Sequence, residues 1–241
     1  MFEFAGFHVP SFRIDTPSVS LNVFDVIGQD GEQPGFISHT GLAENEGSQE
    51  TQQIKILDMG PPLHGPSYTT TINASALGRA ELSDDETRKI RIFIDQHASE
   101  HHAFQQLNER QVLRLASEMY CIYPHAAPLL EHDGRYTRIR FSCSGFVFEA
   151  YRSAGINLLN PDALPLIDMA VIKMAYPLEA RLMESARVTP DSLGLRGIGP
   201  WPVLLCGYLL HALNRSATSI RDRAYTPITK DQRFTAEDAG A

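Results

Sequence analysis

Cysteine is scarce in this chain: Cys121, Cys143 and Cys206 are the only three among 241 residues. An odd number, widely spread and without C-x-x-C spacing, argues against a disulfide framework or a cysteine-ligated zinc site and suits a reducing compartment. Excess positive charge is also missing. With 21 Lys and Arg against 29 Asp and Glu, the formal charge is −8, so no basic field holds a phosphate backbone and nucleic acid is not an expected partner. The longest apolar run, WPVLLCGYLLHAL at 201–213, falls short of the roughly 20 residues that span a bilayer. The opening stretch MFEFAGFHVPSFR carries Glu3 early and no long apolar core before a small-residue cleavage site, so no secretory signal is expected. The expectation is a soluble, cytoplasmic globular protein whose 43% hydrophobic residues supply a core. No internal repeat is visible.

The first third reads as short antiparallel strands, SVSLNVFDVIG, PGFISHTGLAE, QQIKILDMG and SYTTTINASAL, separated by turn-favouring residues. AENEGSQETQQ (43–53) lacks apolar spacing and is expected to be an exposed hairpin loop. The pattern changes at Ser83, which with Glu86 forms a capping-box signature before the apolar positions Ile90, Phe93 and Ile94. A second periodic segment runs from Val112 to Tyr120. YTRIRF then reads as a strand leading into SCSGFVFEAYRSAGI, where Ser142 caps a helix and Gly155 ends it. Three parts follow: a domain over 1–160, a helical extension over 161–215, and a flexible polar tail over 216–241.

Cys143 therefore falls in a first helical turn. Unpaired amides and the positive end of the helix dipole stabilise a thiolate there, and the amides of the turn, with Ser144 and Gly145, can hold the oxyanion of a tetrahedral intermediate. Gly145 removes a side chain beside the thiol and leaves room for substrate. A nucleophilic cysteine also needs a base and a group that orients it. His39 lies in strand-like ISHTGLAE, with Ile37, His39 and Gly41 expected on one face. Asp58 is the single acid among apolar neighbours in IKILDMG, and an adjacent antiparallel strand would bring it beside His39.

These segments resemble a known family. SCSGFVFEAYRSAGINL is similar to the nucleophile helix of the NlpC-type papain-like cysteine hydrolases, SHTGLAE to the strand carrying their histidine, and KILDMG to the strand completing their triad. Here the histidine precedes the cysteine. That order resembles the circularly permuted branch, the YiiX-like enzymes and the lecithin:retinol acyltransferase-like proteins, over roughly residues 15–160. The resemblance implies an α+β, permuted papain-like fold in which antiparallel strands pack on a nucleophile helix; the helical extension, which resembles no part of the family, is expected to cover one side of the cleft. The resemblance further implies Cys143 as nucleophile, His39 as base and Asp58 as orienting residue, in a hydrolase (thiol protease or amidase) or acyltransferase that needs no metal or cofactor. Its substrates would be peptide, amide or lipid-like. The chain departs from the family in having Phe24-Asp25 where members have Gly-Asp, Thr40 after the histidine, and aspartate at position 58.

Blander readings stand beside these. Cys143 by position alone is equally a small buried hydrophobe, as Cys121 and Cys206 are expected to be. His39 could be satisfied by a carbonyl, Asp58 could accept turn amides, and a papain-like module could bind without turnover. His97-Ala98-Ser99-Glu100-His101 has the form of an inverted zincin motif, making a zinc hydrolase on His97 and His101 the alternative; near a helix end such histidines also complement the dipole from solvent. The 201–213 run is either a lipid-facing helix or a buried one.

Overall fold

Alternation of side chains lets one strand serve two cores, and β2 (Asp25–Asp30) does so: Val26 enters the main core and Ile27 a smaller cluster with Leu21, Ala43, Ile54, Ala74 and Leu77. The structure is a computed structural model describing residues 6–13, 21–46, 53–59, 63–69, 73–98, 120–130, 136–235 and 237–239. Strand β2 belongs to a six-stranded sheet with β1 (Gly6–Arg13), β3 (Ile37–Glu46), β4 (Gln53–Met59), β5 (Leu63–Thr69) and β6 (Asn73–Gly78), in the order β1-β6-β2-β3-β4-β5. Every neighbouring pair is antiparallel. The run SYTTTINASAL, expected as one strand, divides between the end of β5 and β6. A separate hairpin pairs β7 (Ala126–Leu130) with β8 (Tyr136–Phe141), the latter being the expected YTRIRF strand.

Helix α1 (Asp84–Ala98) begins at the expected capping box, with the Ser83 amide donating to Glu86 Oε2 at 2.8 Å and the Glu86 amide to Ser83 Oγ at 3.4 Å. Helix α2 (Cys143–Ser153) starts at Ser142, whose Oγ accepts the Gly145 amide at 2.9 Å. Then come α3 (Met169–Ala175), α4 (Pro177–Glu184), α5 (Cys206–Leu213) and α6 (Ala217–Asp222). The described residues are thus mixed α+β, an antiparallel sheet with helices packed against it.

Helix α2 packs on β3 and β4, while α5 packs on β2, β3, β6 and α2. Their apolar faces, Phe146, Val147 and Tyr151 with Leu209, Leu210 and Leu213, meet Val26, Leu42 and Leu57 in one core. The same core includes Leu195, Ile220 and Phe234, so residues 161–235 are packed into the body of the protein where the sequence suggests an extension and a flexible tail. The 201–213 run is likewise not lipid-facing, because helix forms only from Cys206 and that helix is buried on nearly every side. Among the described residues no helix is long and apolar enough to cross a membrane. Residues 112–119 of the expected Val112–Tyr120 periodic segment, and His101, lie outside the described residues.

Candidate active site

The register of β3 against β4 decides which side chains meet. Gly41 sits directly opposite Asp58, and a Cβ at Gly41 would come 3.0 Å from Asp58 Cβ; with glycine there, the carboxylate leans along the sheet toward the neighbouring His39. His39 Nε2 and Asp58 Oδ2 are 2.7 Å apart, with side chains 26% and 23% exposed. The expected facing of Ile37 does not hold. A register shift between Gln29 and Asp30 rotates Ile37 onto the face of Thr40 and Gly28, where it meets the main core.

Cys143 is the first residue of α2 and is 0% exposed. Three groups act on its proton. The hydrogen bond with the Cys206 thiol, 3.6 Å away, favours the thiolate, burial opposes ionisation, and the His39 imidazole and the Thr40 amide favour it again. The balance lowers the Cys143 thiol well below the ordinary value. His39 responds in the opposite sense: burial disfavours its charge, yet Asp58 and Cys143 outweigh burial and raise it to about 10. Cys143, His39 and Asp58, singled out on three separate segments, therefore share one site. With Nε2 facing the carboxylate, Nδ1 is the ring nitrogen left to exchange a proton with sulfur.

Two expectations at the helix start change. The Gly145 amide is already engaged by Ser142 Oγ, and a Cβ at Gly145 would stand 1.9 Å from the His125 carbonyl oxygen. Glycine is required there for the close approach of the β7 segment, so the space is filled by protein and not left for substrate. Ser144 turns its hydroxyl inward to donate to the Leu204 carbonyl at 2.7 Å. Among the described residues, the amides of Cys143 and Ser144 have no acceptor in the protein, which makes them the two donors free to hold an oxyanion.

The C-terminal helices supply neighbours that the sequence conceals. Cys206 opens α5 and faces Cys143, while Thr40 Oγ1 lies 3.7 Å from Cys206 Sγ. Tyr176, at the junction of α3 and α4, donates to the Leu204 carbonyl at 2.9 Å beside Ser144. Cys121 is separate: its sulfur faces the carbonyls of Pro124 and Arg140 at 3.1 and 3.4 Å, and burial pushes its thiol up to about 12. His97, in the last turn of α1, packs edge-on against Phe93 and Phe141, with ring centroids 4.6 and 5.1 Å apart, and is half-buried. Burial lowers its pKa. Among the described residues no three His, Cys, Asp or Glu side chains are grouped to hold a metal ion.

A cavity of about 70 Å³ between α1 and the sheet, lined in part by Leu42, Leu57, Glu44 and Arg91, does not reach Cys143, His39 or Asp58. The site is instead open at its imidazole and carboxylate and closed over its sulfur. Comparison with protein-family models, with curated proteins and with solved structures finds no match to this chain.

Proposed function

We propose that this protein is a cysteine-dependent hydrolase or acyltransferase of permuted papain-like fold, in which Cys143 attacks an amide, ester or thioester carbonyl. The observation that carries this reading is the line Asp58, His39, Cys143, with a 2.7 Å carboxylate–imidazole contact and a sulfur held at a helix start. Cys143 adds to the carbonyl carbon while its proton resides on His39. The amides of Cys143 and Ser144 bear the oxyanion, and His39 returns the proton to the leaving group. Water or a second nucleophile, activated by the same imidazole, then releases the acyl group.

The fold reading has independent support at Phe24. Its φ of 61° lies in the left-handed region that favours glycine, where permuted papain-like members have Gly-Asp. Tyr151 of the nucleophile helix donates its hydroxyl to the Phe24 carbonyl at 2.9 Å and ties α2 to the start of β2. The three free thiols suit a reducing location such as the cytoplasm. The substrate would be a peptide, amide or lipid-like molecule.

A test is incubation with a panel of aryl thioesters, esters and amides, followed by intact mass spectrometry. The expected result is a covalent acyl adduct on Cys143 that turns over, and that is absent in Cys143→Ala and slow to form in His39→Ala. Complete burial of the sulfur favours a second reading, a papain-like binding module without turnover. That reading prevails if no member of the panel acylates Cys143 while a ligand still shifts the melting temperature.

A further inference from the structure

Two helices begin at the same point. Cys143 opens α2 and Cys206 opens α5, and their sulfurs stand 3.6 Å apart in a pocket closed to solvent. Sulfurs in a disulfide are about 2.05 Å apart, so closing the gap needs a shift of about 1.5 Å, within reach of small rotations of two χ1 angles.

We propose that Cys143 and Cys206 form a reversible disulfide on exposure to a small hydroperoxide, with Cys143 the sulfur that reacts first and Cys206 the thiol that resolves it. The pair is asymmetric in its surroundings. Cys143 has the imidazole of His39 and the amide of Thr40 beside it, whereas Cys206 has the Thr40 hydroxyl, at 3.7 Å, and the Cys143 sulfur itself. The sulfur best placed to be a thiolate is thus Cys143, and a second thiol lies in contact with it.

The chemistry balances as follows. The Cys143 thiolate attacks the terminal oxygen of the hydroperoxide; an S–O bond forms, the O–O bond breaks, and the departing alkoxide or hydroxide takes the proton of the His39 imidazolium. Cys143 is now a sulfenic acid, oxidised by two electrons, and the peroxide is reduced to an alcohol or water. The Cys206 thiol then attacks the Cys143 sulfur. An S–S bond forms, the S–O bond breaks, and the hydroxide leaves as water with the Cys206 proton. A dithiol reductant restores both thiols by exchange.

The consequence for activity rests on the function proposed above: while the disulfide is present, Cys143 cannot form a thiolate and the site is off. It also protects the nucleophile, because capture by Cys206 competes with further oxidation to sulfinic acid. The buried position selects the oxidant. Hydrogen peroxide is little larger than water, whereas oxidised glutathione cannot present its sulfur to Cys143 without displacing the surrounding helices.

The test is to treat the full-length protein with hydrogen peroxide, quench with an alkylating agent, and map non-reduced peptides by mass spectrometry. The expected product is the Cys143–Cys206 cross-linked peptide, two hydrogens lighter than the sum of its parts, reversed by dithiothreitol and with Cys121 still alkylated. Cys206→Ala should instead trap Cys143 as a sulfenic acid that dimedone labels, and Cys143→Ala should leave Cys206 a thiol. Accumulation of sulfinic acid on Cys143 of the unaltered chain without the cross-link overturns the proposal, as does a cross-link through Cys121 or survival of both thiols. The unaltered chain alone decides the matter if either variant fails to fold. Cross-linking in a protein that acylates no substrate would retain this inference and remove the catalytic one; acylation without cross-linking would do the reverse.

Discussion

At Cys143 opposing influences compete for one proton, and their balance sets how the site behaves with pH. The Cys206 hydrogen bond favours the thiolate, burial opposes it, and His39 favours it again; the sum lies on the side of the thiolate. His39, raised to about 10 despite burial, remains the cation. Alkylation of Cys143 should therefore already proceed well below the ordinary thiol range, and His39→Ala should move the onset upward toward that of a plain buried thiol. Profile shapes, read by peptide mass spectrometry over a pH series, are the measurement, because burial slows every rate alike. The linkage to stability follows in sign. A histidine raised from 6.5 to about 10 on folding contributes stability that is fully present below 6.5 and fades as pH climbs through about 10. The difference in melting temperature between the unaltered chain and His39→Gln should shrink over that window, and a constant difference would count against a charged His39. Asp58 acts through the imidazole, so Asp58→Asn should lower the acylation rate by on the order of 10²- to 10⁴-fold. The same change should also lower the melting temperature somewhat, since Asp58 is the foremost of the partners that keep the half-buried His39 imidazole protonated. The residues themselves were legible: a lone acid in IKILDMG and a histidine in ISHTGL sit one strand apart, and period-two geometry is enough to pair them.

At the scale of the element, α2 was readable from Ser142 to Gly155 because a polar cap, helical spacing of apolar residues and a terminal glycine agree. The reason for Gly145 was not readable, since it lies in a carbonyl 20 residues earlier in the chain. A methyl group there would stand 1.9 Å from the His125 oxygen, and backbone atoms on both sides leave no rotamer to relieve the clash. Gly145→Ala should destabilise the protein by roughly 1–3 kcal/mol or more, measured by urea unfolding. Gly155→Ala is the internal control: nothing lies within 4 Å, so only its φ of +87° is at issue, and a cost of about 1 kcal/mol is expected. If the two variants melt together, His125 yields more readily than the packing implies. Helix α5 shows the opposite failure of sequence reading. WPVLLCGYLLHAL is apolar throughout, and its N-cap is Leu205 with no side-chain hydrogen bond. Nothing in the run marks where extended chain ends and helix begins, so Cys206 looked like any core residue when it is the first residue of a helix and faces Cys143. Strands β1 and β7 were missed for a related reason, as AAPLL has no alternation of polar and apolar residues and carries a proline.

The whole molecule depends on a segment whose composition suggests it is dispensable. Residues 216–241 are mostly polar, yet they are fastened by backbone and buried side chains that hydropathy does not register. Phe234 is 0% exposed and its amide donates to the Gly35 carbonyl at 2.8 Å. Tyr225 exchanges backbone hydrogen bonds with the segment just after α2, its amide to Leu158 at 3.0 Å and its carbonyl from Asn160 at 2.8 Å. Buried Asp231 accepts from the Tyr225 hydroxyl and the Ile228 amide at 2.7 and 2.8 Å. A Cβ at Gly207, next to Cys206, would lie 2.7 Å from the Asp231 carbonyl, so this segment lies directly over the first turn of α5. Removing it uncovers Phe234's partners, at about 1.5–3 kcal/mol for that side chain alone, and leaves the carbonyls around Leu158 and Gly35 without their donors. Against a total stability of about 5–15 kcal/mol, truncation after Arg215 should be felt throughout the fold. The expected outcome is a large fall in melting temperature by circular dichroism, together with alkylation of Cys206 as fast as that of an exposed thiol. A truncated chain that melts like the full one and keeps Cys206 protected would mean that α2, the sheet and α5 hold their arrangement unaided. The tail would then be an appendage after all.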